Sequence, residues 1–497
     1  MEHQVSHRPP PRVLVFPLPA QGPVNSMLKL AELLALEGLY VTFLNTHFTH
    51  NRLLLHTDMQ ARFETYPGFL FKTISDGLPD DHPRSGDTIM EVIHSINSES
   101  KSIFKQLLLS NELGTSEGNP LVSCIIVDGI FGGFTTDIAN ELHIPIIHFR
   151  TFGACCIWVN MNIPNVIEAG ELPVRGEEDM DRLIKNVPAM ESFLRFRDLP
   201  SFCRASDLTD PNLQVFVQQT LHSPRAQAII LNTFEDLEGP ILSRIRTLCP
   251  NIYSIGPLHM QLKRRLASKE SSFQSFNSLF EVDRSCMTWL DAQPPKTVIY
   301  ISFGSITVMK INQLIEFWYG LVNSNIRFLW VARLDLVAGD GNHAQIPPEL
   351  LEKTKDRGFI VGWAPQEEVL AHPAVGGFLT HSGWNSILES IVAAVPMICW
   401  PYFADQQVNS RFVSEVWKLG MDMKDVCDRK IIEKMLNDLM VERNEEFSKA
   451  ANKMGRLARQ SVHKGGSSYH NLDRLIEDIR LTSSGRFGRQ VDIQINK

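Results

Sequence analysis

Short runs of apolar and β-branched residues alternate with helix-like patterns along most of this 497-residue chain. After the run RVLVFPL (12–18), for example, Met27, Leu30, Ala31 and Leu34 recur at helical spacing and form one apolar face. Buried apolar strands that are separated by helices are typical of parallel sheets covered on both faces. The pattern therefore predicts an α/β fold built from doubly wound parallel sheets.

The predicted strands fall into two groups with a polar segment between them. The first group is 12–18, 40–46, 122–130, 145–151, 226–234 and 251–258, and the second is 297–305, 326–333, 358–363, 376–380 and 395–400. The intervening segment is rich in Ser, Lys and other polar residues, which favours a linker. We predict one domain over 1–258, a linker over 259–285, a second domain over 286–466, and a final helix with a tail over 467–497.

Composition excludes some classes of function. The formal net charge of −8 argues against nucleic acid as a partner, because phosphate binding requires a basic face. No apolar run approaches the ~18 residues of a membrane span, and the N-terminus lacks the apolar core of a secretory signal. The eight cysteines are dispersed without a CxxC pair, as expected in a reducing compartment. We expect a cytosolic protein.

The stretch GGFLTHSGWNSILESIVAAV (376–395) predicts a strand, a tight turn and a helix that starts near Trp384. Unpaired N–H groups and a partial positive charge at a helix N-terminus attract phosphate. Asn385 and Ser386 add side-chain donors, and Glu389 follows Asn385 on the same helix face, where a carboxylate can accept from sugar hydroxyls. Capping alone is the other interpretation of such a helix start.

The 44 residues from Trp363 to Gln406, which include this stretch, closely resemble the signature box of plant family 1 UDP-glycosyltransferases. That box has the same length, so the match is far more specific than a single glycine motif. The resemblance extends to VIYISFGSITVM (298–309), to IILNTFEDLE (229–238) and to the N-terminal region. Within the family, the chain looks most similar to the branch that glucosylates terpenoid and iridoid aglycones.

The resemblance implies a GT-B fold, in which two Rossmann-like domains face each other across a cleft. The domain over 1–258 would bind the acceptor, the domain over 286–466 would bind the UDP-sugar, and the helix in 467–497 would return to the first domain. The implied activity is inverting transfer of glucose from UDP-glucose to a hydroxyl or carboxyl of a small apolar plant metabolite. The resemblance implies no metal and no further cofactor, and we expect a monomer.

Four residues of the box would bind the nucleoside, by their position in the family motif. Trp363 would stack on uracil, since a flat aromatic face suits a flat base. Ala364 would hold the base through its backbone, and Gln366 and Glu389 would take the ribose hydroxyls.

The resemblance assigns the diphosphate to His381, Asn385, Ser386 and, from another loop, Ser305. Departure of UDP builds negative charge, which the helix N-terminus together with His381 would stabilise. No metal motif such as HExxH or paired CxxC occurs in the sequence.

Asp405 and Gln406 would bind hydroxyls of the sugar, and Trp384 and Gln406 match the glucose pattern of the family. Core packing is the alternative interpretation of Trp384, as it is of Trp363. Ala394 stands where the family commonly has glycine, so it would be strained if the backbone there requires a positive φ.

Pro23 occupies the position at which the family carries a histidine that deprotonates the acceptor hydroxyl. An aspartate orients that histidine in the family, and Asp128 of the segment VDG matches the aspartate. Proline suits the first turn of a helix, because its φ is already set and its missing N–H has no partner there. The fold should tolerate Pro23, but the identity of the base becomes an open question.

Three explanations are compatible with Pro23. The acceptor attacks as a carboxylate, which is ionised at pH 7 and needs no base. Alternatively, Asp128 or another cleft residue is the base, because burial makes an aspartate more basic; His47, His50, His143 and His148 lie near strand ends, where structural roles are expected. Third, the protein binds the UDP-sugar with weak turnover or none. The intact donor box favours an active enzyme with Asp128 as the catalytic candidate.

A nicotinamide-dependent dehydrogenase is the rival class, since the alternating pattern permits it. Its fingerprint is GxGxxG directly after a strand, and the segments 128–134 and 374–378 both miss that spacing.

The segments 63–83 and 149–166 are our candidates for the lining of the acceptor pocket. Their Phe, Ile and Trp residues favour an apolar ring system as the acceptor.

Overall fold

The computed structural model describes residues 10–110, 113, 122–268, 278–333, 336 and 352–482. In these residues all named strands pair in parallel within two sheets. The first sheet contains β1 (Arg12–Phe16), β2 (Tyr40–Thr46), β3 (Phe69–Ile74), β4 (Val122–Asp128), β5 (Ile146–Arg150), β6 (Ala228–Leu231) and β7 (Ile252–Ser254). The second contains β8 (Val298–Ser302), β9 (Arg327–Val331), β10 (Gly358–Val361), β11 (Val375–Thr380), β12 (Met397–Cys399) and β13 (Gly420–Asp422).

The strand orders are β3-β2-β1-β4-β5-β6-β7 and β10-β9-β8-β11-β12-β13. In each sheet the order reverses beside a central strand, between β1 and β4 in the first and between β8 and β11 in the second. Ligands of doubly wound folds bind at such points, outside the carboxyl ends of the strands. The predicted fold class, two doubly wound parallel sheets, is confirmed.

Helices cover both faces of the sheets. In the first part of the chain they are α1 (Gln21–Leu36), α2 (His47–His56), α3 (Met59–Phe63), α4 (Ile89–Leu109), α5 (Gly132–Glu141), α6 (Ala154–Glu168), α7 (Pro211–Leu221), α8 (Glu235–Leu248) and α9 (Leu258–Ser268). After these come α10 (Ser285–Asp291), α11 (Ile311–Ser324), α12 (Gln366–Ala371), α13 (Trp384–Ala393), α14 (Gln406–Arg411), α15 (Arg429–Asn437), α16 (Asn444–Ser461) and α17 (Ser467–Thr482).

The apolar face of α1 is buried against the first sheet. Leu30 and Leu34 are fully buried and belong to one cluster with Val13 and Val15 of β1. Burial of each such side chain contributes about 1.5–3 kcal/mol relative to exposure. This packing fixes α1 over the end of β1 and so positions the turn that precedes it.

The last described helix, α17, lies against β7 at the edge of the first sheet. The Asn471 side chain donates to the carbonyl oxygen of Ser254 over 3.1 Å, and Leu475 is buried in the same cluster as α1. The polar segment after residue 258 begins as the helix α9, in which Leu262 and Leu266 are buried against this cluster. Residues 269–277 of that segment lie outside the described residues.

Two strands are not predicted by the sequence pattern. β3 runs through the segment 63–83, which we expected to line the acceptor pocket, and it is the edge strand of the first sheet. Its side chains are mostly half-buried, so it lacks the continuous apolar run of the central strands. β13 has only three residues and pairs with β12 at the opposite edge of the second sheet.

Candidate active site

A cavity of about 920 Å³ lies between the two sheets, at the carboxyl ends of their strands. Residues that follow β1, β4 and β5 line it from one side, and residues that follow β8 and β11 line it from the other. Every residue that the sequence assigned to the site lines this cavity: Pro23, Asp128, Ser305, Trp363, Ala364, Gln366, His381, Trp384, Asn385, Ser386, Glu389, Asp405 and Gln406. The structure therefore brings all of these residues together, although their contacts differ from residue to residue.

Gln366 connects three other polar side chains in one corner of the cavity. Its Nε2 donates to Glu389 Oε2 over 2.7 Å and to Ser386 Oγ over 2.9 Å, and its Oε1 accepts from the Tyr300 hydroxyl over 3.3 Å. The amide orientation is thus fixed, and one carboxylate oxygen of Glu389 is held in place. Ser386, which the sequence assigned to the diphosphate, accepts this hydrogen bond with its hydroxyl oxygen. Its O–H remains able to donate to a ligand.

Glu389 is a buried carboxylate, with 7% of the residue exposed. Burial and the neighbouring Glu367 raise the pKa of Glu389 to about 7, whereas Lys29 and the hydrogen bond from Gln366 lower it. Its charge at neutral pH therefore depends on the groups around it. An ionised carboxylate at this place accepts hydrogen bonds from vicinal hydroxyls, which is the role that the sequence assigned to it.

His381 stands directly before the turn that leads into α13. Burial lowers the pKa of His381 to about 4, so the imidazole is neutral at pH 7. Its Nδ1 is buried, and a hydrogen bond with the Ser302 backbone acts in the opposite direction and raises the pKa. A neutral imidazole can stabilise a departing diphosphate by a hydrogen bond, but it brings no positive charge.

Two glycines leave room for the His381 ring. A Cβ on Gly304 would lie 2.3 Å from His381 Nε2, and a Cβ on Gly383 would lie 2.5 Å from the same atom. Gly304 also has a φ of 72°, which favours glycine. Ser305, the sequence-predicted diphosphate ligand, follows Gly304 in this turn and lines the cavity.

The first turn of α13 faces the cavity. Gly383 precedes the helix in an extended conformation, and in the described part of the chain no side chain caps the first N–H groups. These groups carry the partial positive charge of the helix N-terminus. A diphosphate in the cavity would satisfy them.

The side chain of Asn385 forms hydrogen bonds with residues of the first domain, on the opposite side of the cleft. Its Nδ2 donates to the Gly22 carbonyl oxygen over 3.0 Å, and its Oδ1 accepts from Ser26 Oγ over 2.9 Å and from Asn232 Nδ2 over 3.3 Å. The expected role of Asn385 as a phosphate ligand competes with these bonds. In the structure it fixes the turn that contains Pro23.

Trp384 is packed in the manner of a core residue. Only 3% of the residue is exposed, and its Nε1 donates to the Asn232 carbonyl oxygen over 2.8 Å. Its ring fills the space beside Gly153, where a Cβ would lie 2.8 Å from the indole. The indole thus joins the two halves of the molecule at the cavity edge.

Trp363 lines the cavity with a half-buried indole. Phe280 stacks on it with a ring separation of 4.4 Å and an interplanar angle of 25°. The guanidinium of Arg52 lies 4.9 Å from the Phe280 ring, so the indole is braced from the first domain. A braced flat surface next to the buried backbone of Ala364 is suited to stacking of a planar base.

Asp405 and Gln406 lie at the start of α14. Asp405 accepts from the Asn409 side chain over 2.6 Å, and burial raises the pKa of Asp405 to about 6. Gln406 Oε1 accepts from the N–H groups of Tyr402 and Phe403, each over 2.8 Å. The amide oxygen of Gln406 is therefore occupied, and its Nε2 is left as a donor.

Asp128 ends β4 and is 2% exposed. Its Oδ1 accepts from the Ile130 N–H over 3.1 Å, and its Oδ2 accepts from the Thr151 hydroxyl over 3.0 Å. Burial raises the pKa of Asp128, while these hydrogen bonds and the buried Arg150 act in the opposite direction. Pro23 lies in the first turn of α1, as predicted, and lines the same cavity.

Part of the apolar cavity lining comes from residues that the sequence motifs do not assign to the site. Ile89 and Ile93 of α4, Phe216 of α7, and Leu18 and Phe152 line it. Spacing by four places the two isoleucines on one face of α4, which was the available signal. Because these elements are far apart in sequence, the sequence pattern did not predict that they line one cavity.

The two expected acceptor segments contribute unequally. No described residue of 63–83 lines the cavity, because β3 and its flanking turns lie at the far edge of the first sheet. From 149–166 only Thr151 and Phe152 line it. The expectation is wrong for the first segment and holds for the beginning of the second.

Some alternatives that the sequence left open can be checked directly against the described residues. His47, His50, His143 and His148 do not line the cavity. Among the described residues, no group of three or more His, Cys, Asp or Glu side chains is placed to hold a metal ion. Within the same residues, no helix has the length and apolar character needed to cross a membrane.

Comparison with known proteins agrees with this geometry. The family described as UDP-glucoronosyl and UDP-glucosyl transferase matches residues 87–446. The chain is 56% identical over 472 residues to the 7-deoxyloganetic acid glucosyl transferase of Catharanthus roseus, and the match covers 95% of this chain and 98% of that one.

Solved structures give the same result. Os79 from O. sativa in complex with UDP matches with a TM-score of 0.77 and 27% identity, over 94% of this chain and 100% of that one. Medicago truncatula UGT71G1 complexed with UDP-glucose matches with a TM-score of 0.75 and 26% identity, over 95% and 99%. The GT-B fold implied by the resemblance is confirmed, and the chain belongs to the UDP-glycosyltransferase family of enzymes.

Proposed function

We propose that this protein transfers glucose from UDP-glucose, with inversion, to a hydroxyl group of a small apolar ring compound of the iridoid or terpenoid type. The observation that carries the proposal is the cavity that Asp128 shares with Glu389 and Asp405. The Catharanthus relative, whose name gives an iridoid acid as its acceptor, and the UDP-glucose complex of the Medicago enzyme support it.

The nucleotide would lie along the second sheet. The free face of Trp363 takes uracil, Glu389 accepts from the ribose hydroxyls, and the N-terminus of α13 receives the diphosphate. His381 would donate to a phosphate oxygen through Nε2, the ring nitrogen that lies beside Gly304 and Gly383. Ser305 and the Ser386 hydroxyl complete the diphosphate contacts, whereas Asn385 contributes by holding the opposing turn.

The glucose would lie at the start of α14. Asp405 accepts from sugar hydroxyls, and the Nε2 of Gln406 donates to one of them, since its Oε1 is already bonded to the backbone. A site that pairs an acceptor with a donor in fixed positions discriminates between sugars by the orientation of their hydroxyls. This arrangement supports glucose as the transferred sugar.

The lining near Asp128 favours a hydroxyl nucleophile over a carboxylate. The cavity lining that comes from the loops after β1, β4 and β5 and from α4 and α7 includes Leu18, Ala20, Gly22, Pro23, Ile89, Ile93, Asp128, Ile130, Thr151, Phe152 and Phe216. None of these is a cation. Lys29, which also lines the cavity, is paired with Glu367, and the buried Arg150, whose charge acts on Asp128, does not line the cavity. An attacking carboxylate would therefore lie beside a buried aspartate without a cation of its own. Such an arrangement is electrostatically unfavourable.

Asp128 is therefore the base in this proposal. The acceptor oxygen attacks C1 of glucose from the face opposite UDP, its proton passes to the Asp128 carboxylate, and the bond from C1 to the β-phosphate oxygen breaks. The electrons of that bond leave with UDP, whose charge is stabilised by the N-terminus of α13 and by His381. Thr151 and the Ile130 N–H orient the carboxylate for this transfer.

The proposal requires no metal ion and no other cofactor, so a chelator should leave the rate unchanged. The domain limits at 258, 285 and 466, the monomeric state and the cytosolic location also stay predictions. Gel filtration and fractionation of the source tissue test the last two.

The experiment that tests this proposal compares 7-deoxyloganetic acid with its methyl ester as acceptors for UDP-glucose. The proposal predicts that both react, and that the product of the acid is a glucoside that survives mild alkali. A product that releases glucose in mild alkali, formed only from the free acid, would show a carboxylate nucleophile instead. Binding of UDP without turnover of any hydroxyl acceptor would support the inactive binder.

A further inference from the structure

A salt bridge between a buried lysine and a half-buried glutamate joins the two halves of the molecule directly beside the proposed ribose site. Lys29 on α1 is 4% exposed and pairs with Glu367 on α12. Glu367 follows Gln366, whose amide holds Glu389 over 2.7 Å. A lysine of the first domain is thus built into the polar corner of the donor cavity, and all four of these residues line that cavity.

Several further charged or titratable groups surround this corner. α9 contributes His259 and Lys263, which act on Glu367, and β8 contributes the Tyr300 hydroxyl, which bonds to Gln366. Burial lowers the pKa of His259 to about 4, so this histidine is neutral at pH 7. Lys29 is the cation whose charge acts on both Glu367 and Glu389.

The negative charges of Glu367 and Glu389 repel each other. Glu367 raises the pKa of Glu389, and Lys29 lowers the pKa of both. A buried carboxylate next to a second carboxylate stays ionised only with a compensating cation nearby, and here the buried member is Glu389. Loss of Lys29 would therefore leave Glu389 protonated at neutral pH, and a protonated carboxyl is a poorer acceptor for hydroxyl hydrogens.

We propose that Lys29 is a positioning residue of the nucleotide site: paired with Glu367, it keeps the negative charge on Glu389 where the ribose hydroxyls of a uridine nucleotide bind. The inference rests on the proposed function, since it takes the ribose as the partner of Glu389. It also assigns part of the nucleotide affinity to the domain that binds the acceptor.

The test is calorimetric titration of the full-length protein with UDP between pH 6 and pH 9. Lys29→Met is compared with Lys105→Met, which removes a lysine from the exposed pair with Glu141. The phosphate of UDP titrates in this range, but it does so equally for every variant. The ratio of the dissociation constants of variant and unmodified protein at each pH removes that effect.

For Lys29→Met we expect UDP binding about fivefold weaker at pH 7, because a rise of about one unit in the pKa of Glu389 from about 7 lowers its ionised fraction there from about a half to about a tenth. The ratio should return towards one at pH 9. Lys29→Arg should restore binding at pH 7, and Lys105→Met should give a ratio near one throughout. In a Glu389→Gln background, Lys29→Met should cause no pH-dependent change.

A loss that is the same at every pH, or one that persists in the Glu389→Gln background with the same pH profile, would overturn the inference. Circular dichroism and the melting temperature of each variant identify a folding defect, and Lys29→Arg then serves as the informative variant. If the unmodified protein does not bind UDP at any pH, the proposed function itself fails. Binding with a constant ratio refutes only the role of Lys29.

Discussion

Ser201 and Ala404 hold each other by two hydrogen bonds across the cleft. The Ser201 N–H donates to the Ala404 carbonyl oxygen over 3.3 Å, and Ser201 Oγ accepts from the Ala404 N–H over 2.8 Å. Ala404 has a φ of 51°, a left-handed conformation that a residue with a side chain adopts when its surroundings impose it. Asp405 and Gln406 follow directly, so a residue of the first domain fixes the turn that we propose binds glucose.

Ser201→Ala should weaken UDP-glucose binding and leave UDP binding unchanged. Loss of one net hydrogen bond of about 0.5–1.5 kcal/mol corresponds to roughly two- to tenfold in the dissociation constant. Titration calorimetry with both ligands at one pH checks this, with Ser98→Ala on the exposed face of α4 as the control. An equal loss for UDP and UDP-glucose would mean that Ser201 acts on the whole cleft instead of on the sugar turn.

Ala394→Gly should stabilise the protein. Ala394 follows α13 with a φ of 57° and a ψ of 41°, so the condition for strain at this position is met. Glycine relieves a left-handed strain of about 1–2 kcal/mol, partly offset by its greater freedom in the unfolded chain, for a net gain of about 1 kcal/mol. The urea unfolding midpoint should rise.

Ala450→Gly, inside α16, is the matched control for that substitution. Glycine in a helix interior costs about 1 kcal/mol, so this variant should unfold at lower urea. If Ala394→Gly also lowers the stability, the packing of the Ala394 methyl group stabilises the protein by more than the backbone strain destabilises it.

Acid should reduce UDP-glucose affinity through Asp405. Burial raises the pKa of Asp405 to about 6, so its carboxylate is ionised above that pH and protonated below it. We expect the unmodified protein to bind UDP-glucose more tightly than Asp405→Asn at pH 7.5, with the advantage lost by pH 5. The ratio of the two dissociation constants at each pH cancels the titration of Glu389. A ratio that does not change with pH would remove Asp405 from the sugar contacts.

The central strands could be predicted because each is a continuous apolar run that is buried on both faces. β2 has the limits that the sequence pattern predicts, Tyr40–Thr46. The edge strands β3 and β13 could not be predicted, because one is only half-buried and the other has three residues. α9 was hidden by its polar composition, although Leu262 and Leu266 lie one turn apart on its buried face.

The cavity-lining residues within the motif box could be predicted because the box is continuous in sequence. Their contacts could not, because the partners are far away along the chain. Asn385 bonds to Gly22, and Lys29 of α1 pairs with Glu367, the chain neighbour of Gln366. Pairings of this kind are set by how two domains face each other, and no local pattern encodes them.

The central claim is that Asp128 acts as the base in place of the histidine that Pro23 replaces. The most direct measurement is the turnover number for a hydroxyl acceptor with saturating UDP-glucose, for the unmodified protein and for Asp128→Asn, with the UDP dissociation constant of each. A positioned base contributes about 10²–10⁴-fold, so we predict a fall of that size at unchanged UDP affinity. A variant that retains its turnover within about threefold would contradict the account, because removal of the base would then cost far less than general base catalysis supplies.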